Sequence, residues 1–240
     1  MFPRSNGATS SFQGSIVGVN TLVVNEGRLA MSASGTEGKH VSDVGSITLN
    51  GTSQFDLTNN ALVVDYASGG PTPYADIRNK VASGYNAGAW NGPGIITSQG
   101  NASNFGLGIA EASNVLAFTG TPPDALFLGD VVDQSAILVR FTRYGDANLD
   151  GTVNLADFNR LAAGFGTGTR WDQGDFDYNG IVNLADFNKL AANFGLSAAG
   201  PSVTPDDWAR LGAAVPEPSA LGLVAVAGAG LLRRRRRYTR

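Results

Sequence analysis

An internal repeat of 22 residues constrains the fold of this chain more than any other feature. Residues 145–166 read GDANLDGTVNLADFNRLAAGFG and residues 174–195 read GDFDYNGIVNLADFNKLAANFG. Fifteen of the 22 positions are identical, at an offset of 29 residues. A segment that recurs this closely forms the same small structural unit in each copy. The repeat therefore predicts two equivalent units that pack against each other.

Each copy begins with the residue spacing of a calcium-binding loop of the EF-hand type. Oxygen-bearing side chains occupy loop positions 1, 3, 5, 9 and 12, glycine occupies position 6 at the sharp turn, and position 7 offers its backbone carbonyl. The predicted ligands are Asp146, Asn148, Asp150, Thr152, Asn154 and Asp157 in the first loop, and Asp175, Asp177, Asn179, Ile181, Asn183 and Asp186 in the second. We expect two bound calcium ions, because a hard divalent cation takes six to eight oxygen ligands.

A short amphipathic helix is predicted after each loop. The apolar stripes are Leu155, Phe158, Leu161, Ala162 and Phe165, and Leu184, Phe187, Leu190, Ala191 and Phe194. Glycine follows each stripe and is expected to end the helix. A helix of about three turns cannot bury its stripe alone. The two helices are therefore predicted to share one core, with a partial third helix over residues 205–211 as a cap.

A duplicated calcium loop followed by a single helix resembles a dockerin domain, and the resemblance covers residues 144–212. It implies a small all-α module with two calcium ions. Dockerins typically bind cohesin modules and attach secreted proteins, often polysaccharide-degrading enzymes, to a scaffold. In that family loop positions 10 and 11 contact cohesin and are often hydroxylated, whereas here they are Leu155-Ala156 and Leu184-Ala185. Two roles stay open: docking to a cohesin-like or other surface partner, and a purely structural role.

Residues 12–143 are predicted to form a mainly-β region with one short helix near residues 73–83. Short β-branched runs alternate with turn signals such as Asn50-Gly51. The spacing fits a sandwich or a short β-solenoid. Residues 14–66 resemble autotransporter-associated β-strand repeats. Residues 1–11 are polar and lack the apolar stretch of a signal peptide, and we expect a disordered start. The chain is then expected to be the C-terminal end of a longer passenger or the product of a truncated gene.

The C-terminal residues 213–240 have a tripartite order. Pro216, Glu217 and Pro218 precede an apolar stretch at residues 219–232, and five arginines follow. A stable membrane span needs about 20 residues, so a 14-residue stretch predicts a single short apolar helix that is too short for a permanent anchor and closer to a signal-type apolar region. A plain tail anchor is the alternative. This order resembles a PEP-CTERM sorting signal. The resemblance implies recognition by an exosortase-type protease, contact with the membrane through residues 219–232, and export to the cell envelope or surface with transient or permanent anchoring.

Composition excludes several classes of function. Six of the 17 basic residues lie in the last eight, and the remaining 11 stand against 20 acidic residues, so the body of the chain is acidic and nucleic acid is excluded as a partner. No cysteine and one histidine exclude thiolate chemistry and zinc sites built from these residues. We expect a non-catalytic surface protein. The alternatives are a polysaccharide-degrading enzyme that uses Asp56 and Asp65, and a glycan-binding protein that uses Trp90.

Overall fold

A computed structural model describes residues 8–34, 40–118, 125–197 and the backbone of 200–201. The chain divides into two compact units, Met1–Val203 and Thr204–Arg240, and every described residue lies in the first. The partial third helix and the apolar C-terminal helix predicted from sequence fall outside the described residues. Within the described part, no helix has the length and apolar character needed to cross a membrane.

The described residues form mostly β-strands, with two helices in the repeat region. The strands of the first part are β1 (Thr9–Phe12), β2 (Leu22–Val24), β3 (Arg28–Met31), β4 (Val41–Val44), β5 (Ile47–Leu49), β6 (Gln54–Asp56) and β7 (Ala61–Asp65). They are followed by α1 (Tyr74–Tyr85), β8 (Gly94–Ile96), β9 (Phe105–Glu111), α2 (Ala112–Val115), β10 (Ala125–Phe127), β11 (Asp130–Val132) and β12 (Ala136–Arg143). The later elements are α3 (Leu155–Gly164), α4 (Leu184–Asn193), β13 (Leu196–Ser197) and β14 (Gly200–Pro201), and short 3-10 helices lie at Asn86–Gly88 and Trp171–Gln173.

The first seven strands stack as successive coils of chain. Strands one coil apart pair in parallel, β3 with β6, β2 with β5 and β4 with β7. Strands β1, β3, β6 and β8 form one continuous parallel sheet. Parallel pairing between coils is the arrangement of a solenoid, whereas a sandwich is built from antiparallel hairpins. The mainly-β expectation is therefore confirmed, with the pairing of a solenoid in this segment.

The last coil passes into a mixed sheet of order β4-β7-β12-β9, in which β4 pairs with β7 in parallel and β12 pairs antiparallel with both β7 and β9. Its central strand β12 has a buried side chain at almost every position, because both faces of the sheet are covered. Helix α1 lies beside β8 at close range: a Cβ on Gly84 would stand 2.1 Å from the carbonyl oxygen of Ile95. This helix matches the prediction near residues 73–83 and ends at Asn86, which has a left-handed backbone.

Two expectations about element boundaries differ from the structure. Disorder was expected through residue 11, but Thr9–Phe12 form β1 and pair with β3, because the open edge of β3 offers backbone groups to an extended Thr/Ser segment. The boundary drawn at residue 143 marks a change of sequence pattern. It does not separate compact units, since the β-region and the repeat lie together in Met1–Val203.

Candidate metal centre

The two loops of the repeat, here loop 1 (residues 146–157) and loop 2 (residues 175–186), have the same local structure. Each leads directly into a helix, α3 or α4, whose first turn is closed by a capping box. In loop 1 the side chain of Asn154 accepts a hydrogen bond from the Ala156 amide at 2.7 Å, and Asp157 accepts one from the Asn154 amide at 2.8 Å. Positions 9 and 12 thus start the helix as well as being predicted ligands.

The carboxylate at position 1 carries the clearest sign of a metal site. Asp146 and Asp175 are fully buried, and in each the Oδ2 atom accepts a hydrogen bond from the position 6 glycine amide, at 3.0 Å from Gly151 and 3.1 Å from Gly180. The other oxygen, Oδ1, is buried without a hydrogen-bond partner in both residues. Burying a carboxylate oxygen without a hydrogen-bond partner destabilises the folded state unless a bound cation interacts with that oxygen.

The carboxylate at position 12 is held by the loop that it closes. Asp157 Oδ1 accepts hydrogen bonds from the amides of Ala147 at 2.9 Å and Asn148 at 3.1 Å. In loop 2 the equivalent bond runs from the Phe176 amide to Asp186 Oδ1 at 2.8 Å. These bonds bring position 12 back to the start of each loop.

Positions 3 and 5 bend each loop inward through side chain to backbone hydrogen bonds. Asn148 Oδ1 accepts from the Asp150 amide at 3.0 Å, and Asp177 Oδ1 accepts from the Asn179 amide at 3.1 Å. The side chains at position 5 accept from the amides at position 7, Thr152 and Ile181, both at 2.8 Å. In loop 2 carboxylate oxygens of Asp175, Asp177 and Asp186 all lie within 4.8 Å of one another.

Burial disfavours negative charge in both loops. It is the largest cause of a raised pKa at Asp146, Asp157, Asp175 and Asp186. The pKa of Asp186 rises to about 6, although the hydrogen bond from the Asn183 amide opposes the rise. A divalent cation would compensate the buried charge, and all of the donors are the hard oxygens that calcium prefers. The side chains predicted as ligands therefore carry donor atoms of the type that calcium binds, and in the described part of the chain those of Asp175, Asp177 and Asp186 lie close together.

An arginine from outside the repeat reaches each loop. Arg78 on α1 donates from Nη2 to Asp175 Oδ2 at 2.8 Å and to the carbonyl oxygen of Tyr178 at 2.9 Å. Arg140 on β12 donates to the carbonyl oxygen of Leu149. Sequence reasoning missed both residues, because Arg78 lies 97 positions from its carboxylate and neither arginine belongs to the repeat.

A cluster of buried aromatic rings joins the repeat to the β-region. Trp171 lies 5.5 Å from Tyr178 and 6.0 Å from Tyr144 between ring centres, and Tyr85 of α1 lies 5.1 Å from Tyr178. The Trp171 indole donates to the carbonyl oxygen of Asp146 at 2.7 Å, and the Tyr178 hydroxyl donates to that of Leu107 on β9. The first residue of loop 1 and the fourth of loop 2 are therefore fixed to one core.

The helix pair buries less of its apolar stripes than the sequence predicts. Phe158 and Phe187 meet edge to face at 6.4 Å between ring centres. Phe194 is 2% exposed, but its counterpart Phe165 is 52% exposed and Leu184 is 62% exposed. The expected core of two helices is incomplete because much of the apolar packing is supplied by the aromatic cluster and the β-region.

Two of the three residues considered for glycan chemistry, Trp90 and Asp56, have structural partners, and the third, Asp65, lies exposed at the end of β7. Trp90 is 3% exposed and its indole donates to the Tyr144 hydroxyl at 3.1 Å, so its ring faces cannot stack on a sugar. Asp56 is buried, forms an ion pair with Arg28 and accepts from the amides of Thr58 and Ser98, both at 2.9 Å. These contacts give Asp56 a structural role.

Comparison with known sequences locates one family signature. Residues 214–237 match the PEP-CTERM protein-sorting motif, and this match contains Pro216, Glu217 and Pro218. No curated protein and no solved structure matches the chain. The match does not include the repeat, so the dockerin resemblance stays a prediction. The chain carries a PEP-CTERM sorting signal, which implies an exported protein that exosortase sorts to the cell envelope or surface.

Proposed function

We propose that this chain is a non-catalytic cell-surface protein in which two calcium ions stabilise a dockerin-like pair of loops. One observation carries the proposal: Asp146 and Asp175, at the same position of two repeats, each keep one buried carboxylate oxygen without a partner. Each carboxylate stands at the start of a loop that supplies further oxygen donors. A metal ion would satisfy these atoms and compensate the buried charge.

The proposed role of calcium is structural. The loops lie next to the aromatic cluster of Trp171, Tyr178 and Tyr144, so an ion that orders the loops would also stabilise this core. Docking to a cohesin-like or other surface partner is the second candidate. Exposed Ile181 and Leu184 in loop 2 favour it, because large apolar side chains in contact with water are common in binding surfaces.

We expect a calorimetric calcium titration of the purified full-length chain to show two bound ions. Dissociation constants of about 10⁻⁴–10⁻³ M are typical of extracellular calcium modules. Calcium at ten times its dissociation constant should stabilise the folded chain by about 1.4 kcal/mol per site, because only the folded loops bind the ion. Magnesium at the same concentration serves as the control, since it prefers a rigid octahedral site and gives little stabilisation. Absence of both binding heat and a shift in melting temperature would contradict the proposal.

Sorting gives a separate prediction. Replacing Pro216, Glu217 and Pro218 by alanine should leave unprocessed chain in the membrane fraction of cells that contain exosortase, because the recognised motif is lost while the apolar stretch remains. Asp207→Ala, nine residues before Pro216 and outside the matched segment, is the control and should be sorted like the wild type. Fractionation and mass spectrometry of the C-terminus measure the result. Normal processing of the triple variant would show that these residues are not the recognised element.

A further inference from the structure

Both loops receive a guanidinium group at the same place, although the two arginines come from unrelated elements. Arg140 on β12 donates to the carbonyl of Leu149, and Arg78 on α1 donates to the carbonyl of Tyr178. These acceptors both occupy loop position 4, and both have a φ of 59°. The repeat accounts for the matching acceptors. It does not account for two matching cations from a strand and a helix.

Each arginine also lies close to the candidate calcium site itself. Arg78 Nη2 shares the Asp175 carboxylate, bonding Oδ2 while Oδ1 has no partner. Its side chain is 19% exposed and that of Asp175 is fully buried, so water screens the pair weakly. In loop 1 a Cβ on Gly151 would stand 2.4 Å from Arg140 Nη2, so the guanidinium lies directly against position 6.

We propose that Arg78 and Arg140 act as internal cations that partly neutralise the negative charge of each loop when calcium is absent and lower its affinity for calcium. This inference rests on the proposed function, namely that the loops bind calcium. In loop 2 three carboxylates within 4.8 Å repel one another, and a fixed guanidinium reduces that repulsion. Calcium then enters a loop that is already partly neutralised, and it shares Asp175 with a positive charge.

An arginine could instead raise affinity by holding the loop in its binding shape, and the contacts decide between the two effects. Loop 2 keeps its shape through its own hydrogen bonds: Gly180 to Asp175, Phe176 to Asp186 and Ile181 to Asn179. Arg78 takes part in none of these three bonds, so we expect them to persist when it is replaced. The loss of a positive charge next to the ion is therefore the larger effect, and affinity should rise.

The test compares Arg78→Gln and Arg140→Gln with the wild type in the full-length chain. Calcium is titrated while the backbone amide resonances of Gly151 and Gly180 are followed by NMR, because each amide bonds the position 1 carboxylate of its own loop. Arg78→Gln should lower the calcium dissociation constant of loop 2 about five-fold and leave that of loop 1 unchanged. Arg140→Gln should lower the dissociation constant of loop 1 by a similar factor and leave that of loop 2 unchanged. Both variants should melt at a lower temperature than the wild type in calcium-free buffer.

Two further variants separate charge from packing. Arg78→Lys keeps the positive charge and should retain the weaker affinity of the wild type. Arg160→Gln makes the same change in net charge on α3, where Arg160 donates to the carbonyl of Asn114, and should leave both loops unaltered. Weaker calcium binding in Arg78→Gln would overturn the inference while the proposed calcium sites stand. No binding in the wild type would instead overturn the proposed function.

Discussion

Asp175→Ala is expected to abolish calcium binding at loop 2 while loop 1 continues to bind. The substitution removes the position 1 carboxylate, whose buried Oδ1 has no other partner and whose Oδ2 accepts from Gly180 and Arg78. Loss of a residue that supports a metal ligand already costs 10–100-fold in affinity, so loss of the ligand itself should cost about 100-fold or more. The Gly180 and Gly151 amide resonances measure the two loops separately.

Controls for this result follow from the same contacts. Asp130→Ala removes one acidic residue from an exposed position on β11 and should not change either affinity. Asp175→Asn keeps the size of the side chain and one carbonyl oxygen, so it tests the charge if the alanine variant does not fold. Wild-type affinity at loop 2 in both Asp175 variants would show that the loop does not use this residue for calcium.

Trp171→Ala is expected to lower the free energy of unfolding by about 4 kcal/mol, the range typical of a large buried aromatic residue replaced by alanine. Trp171 is 1% exposed and lies 5.0 Å from Phe176 between ring centres. A Cβ on Gly108 of β9 would stand 2.9 Å from its indole nitrogen, so the ring fills the space between the repeat and the sheet. The variant also loses the hydrogen bond to the carbonyl of Asp146.

Urea unfolding of the full-length chain in calcium-free buffer measures this effect. Phe165→Ala is the matched control, since Phe165 is an aromatic residue of the same repeat but is 52% exposed, and it should cost less than about 1 kcal/mol. An equal loss of unfolding free energy in the two variants would show that the packing of Trp171 does not stabilise the contact between the repeat and the β-region.

The local features of this chain could be predicted from its sequence. The loop spacing, the helices after the loops and α1 each depend on residues within about a dozen positions of one another, which is why Asp157 and Asp186 were found at the ends of the loops. Contacts between distant segments could not be predicted. Arg78 and Arg140 carry no motif, and nothing in the sequence near Trp90 distinguishes a buried ring from one that binds a sugar.

Equivalent positions of the two repeat copies also have different surroundings. Phe165 and Phe194 occupy the same position of the repeat, yet one is half exposed and the other is buried. A repeat pattern describes only what the copies share, so it cannot predict this difference. The choice between a sandwich and a solenoid likewise depended on which strands pair, and this depends on contacts between coils.

The aromatic cluster limits how the repeat can be moved between proteins. A segment cut after residue 144 would expose Trp171 and Tyr178, because their rings pack against Tyr144 and Tyr85 and the Tyr178 hydroxyl donates to the carbonyl of Leu107 on β9. Fused to an unrelated protein, the segment would expose an apolar surface prone to aggregation, and it would lack Arg78 and Arg140. The sequence pattern of the repeat suggests an independent module, but its packing depends on the β-region. A transferred segment therefore needs α1, β9 and β12 as well.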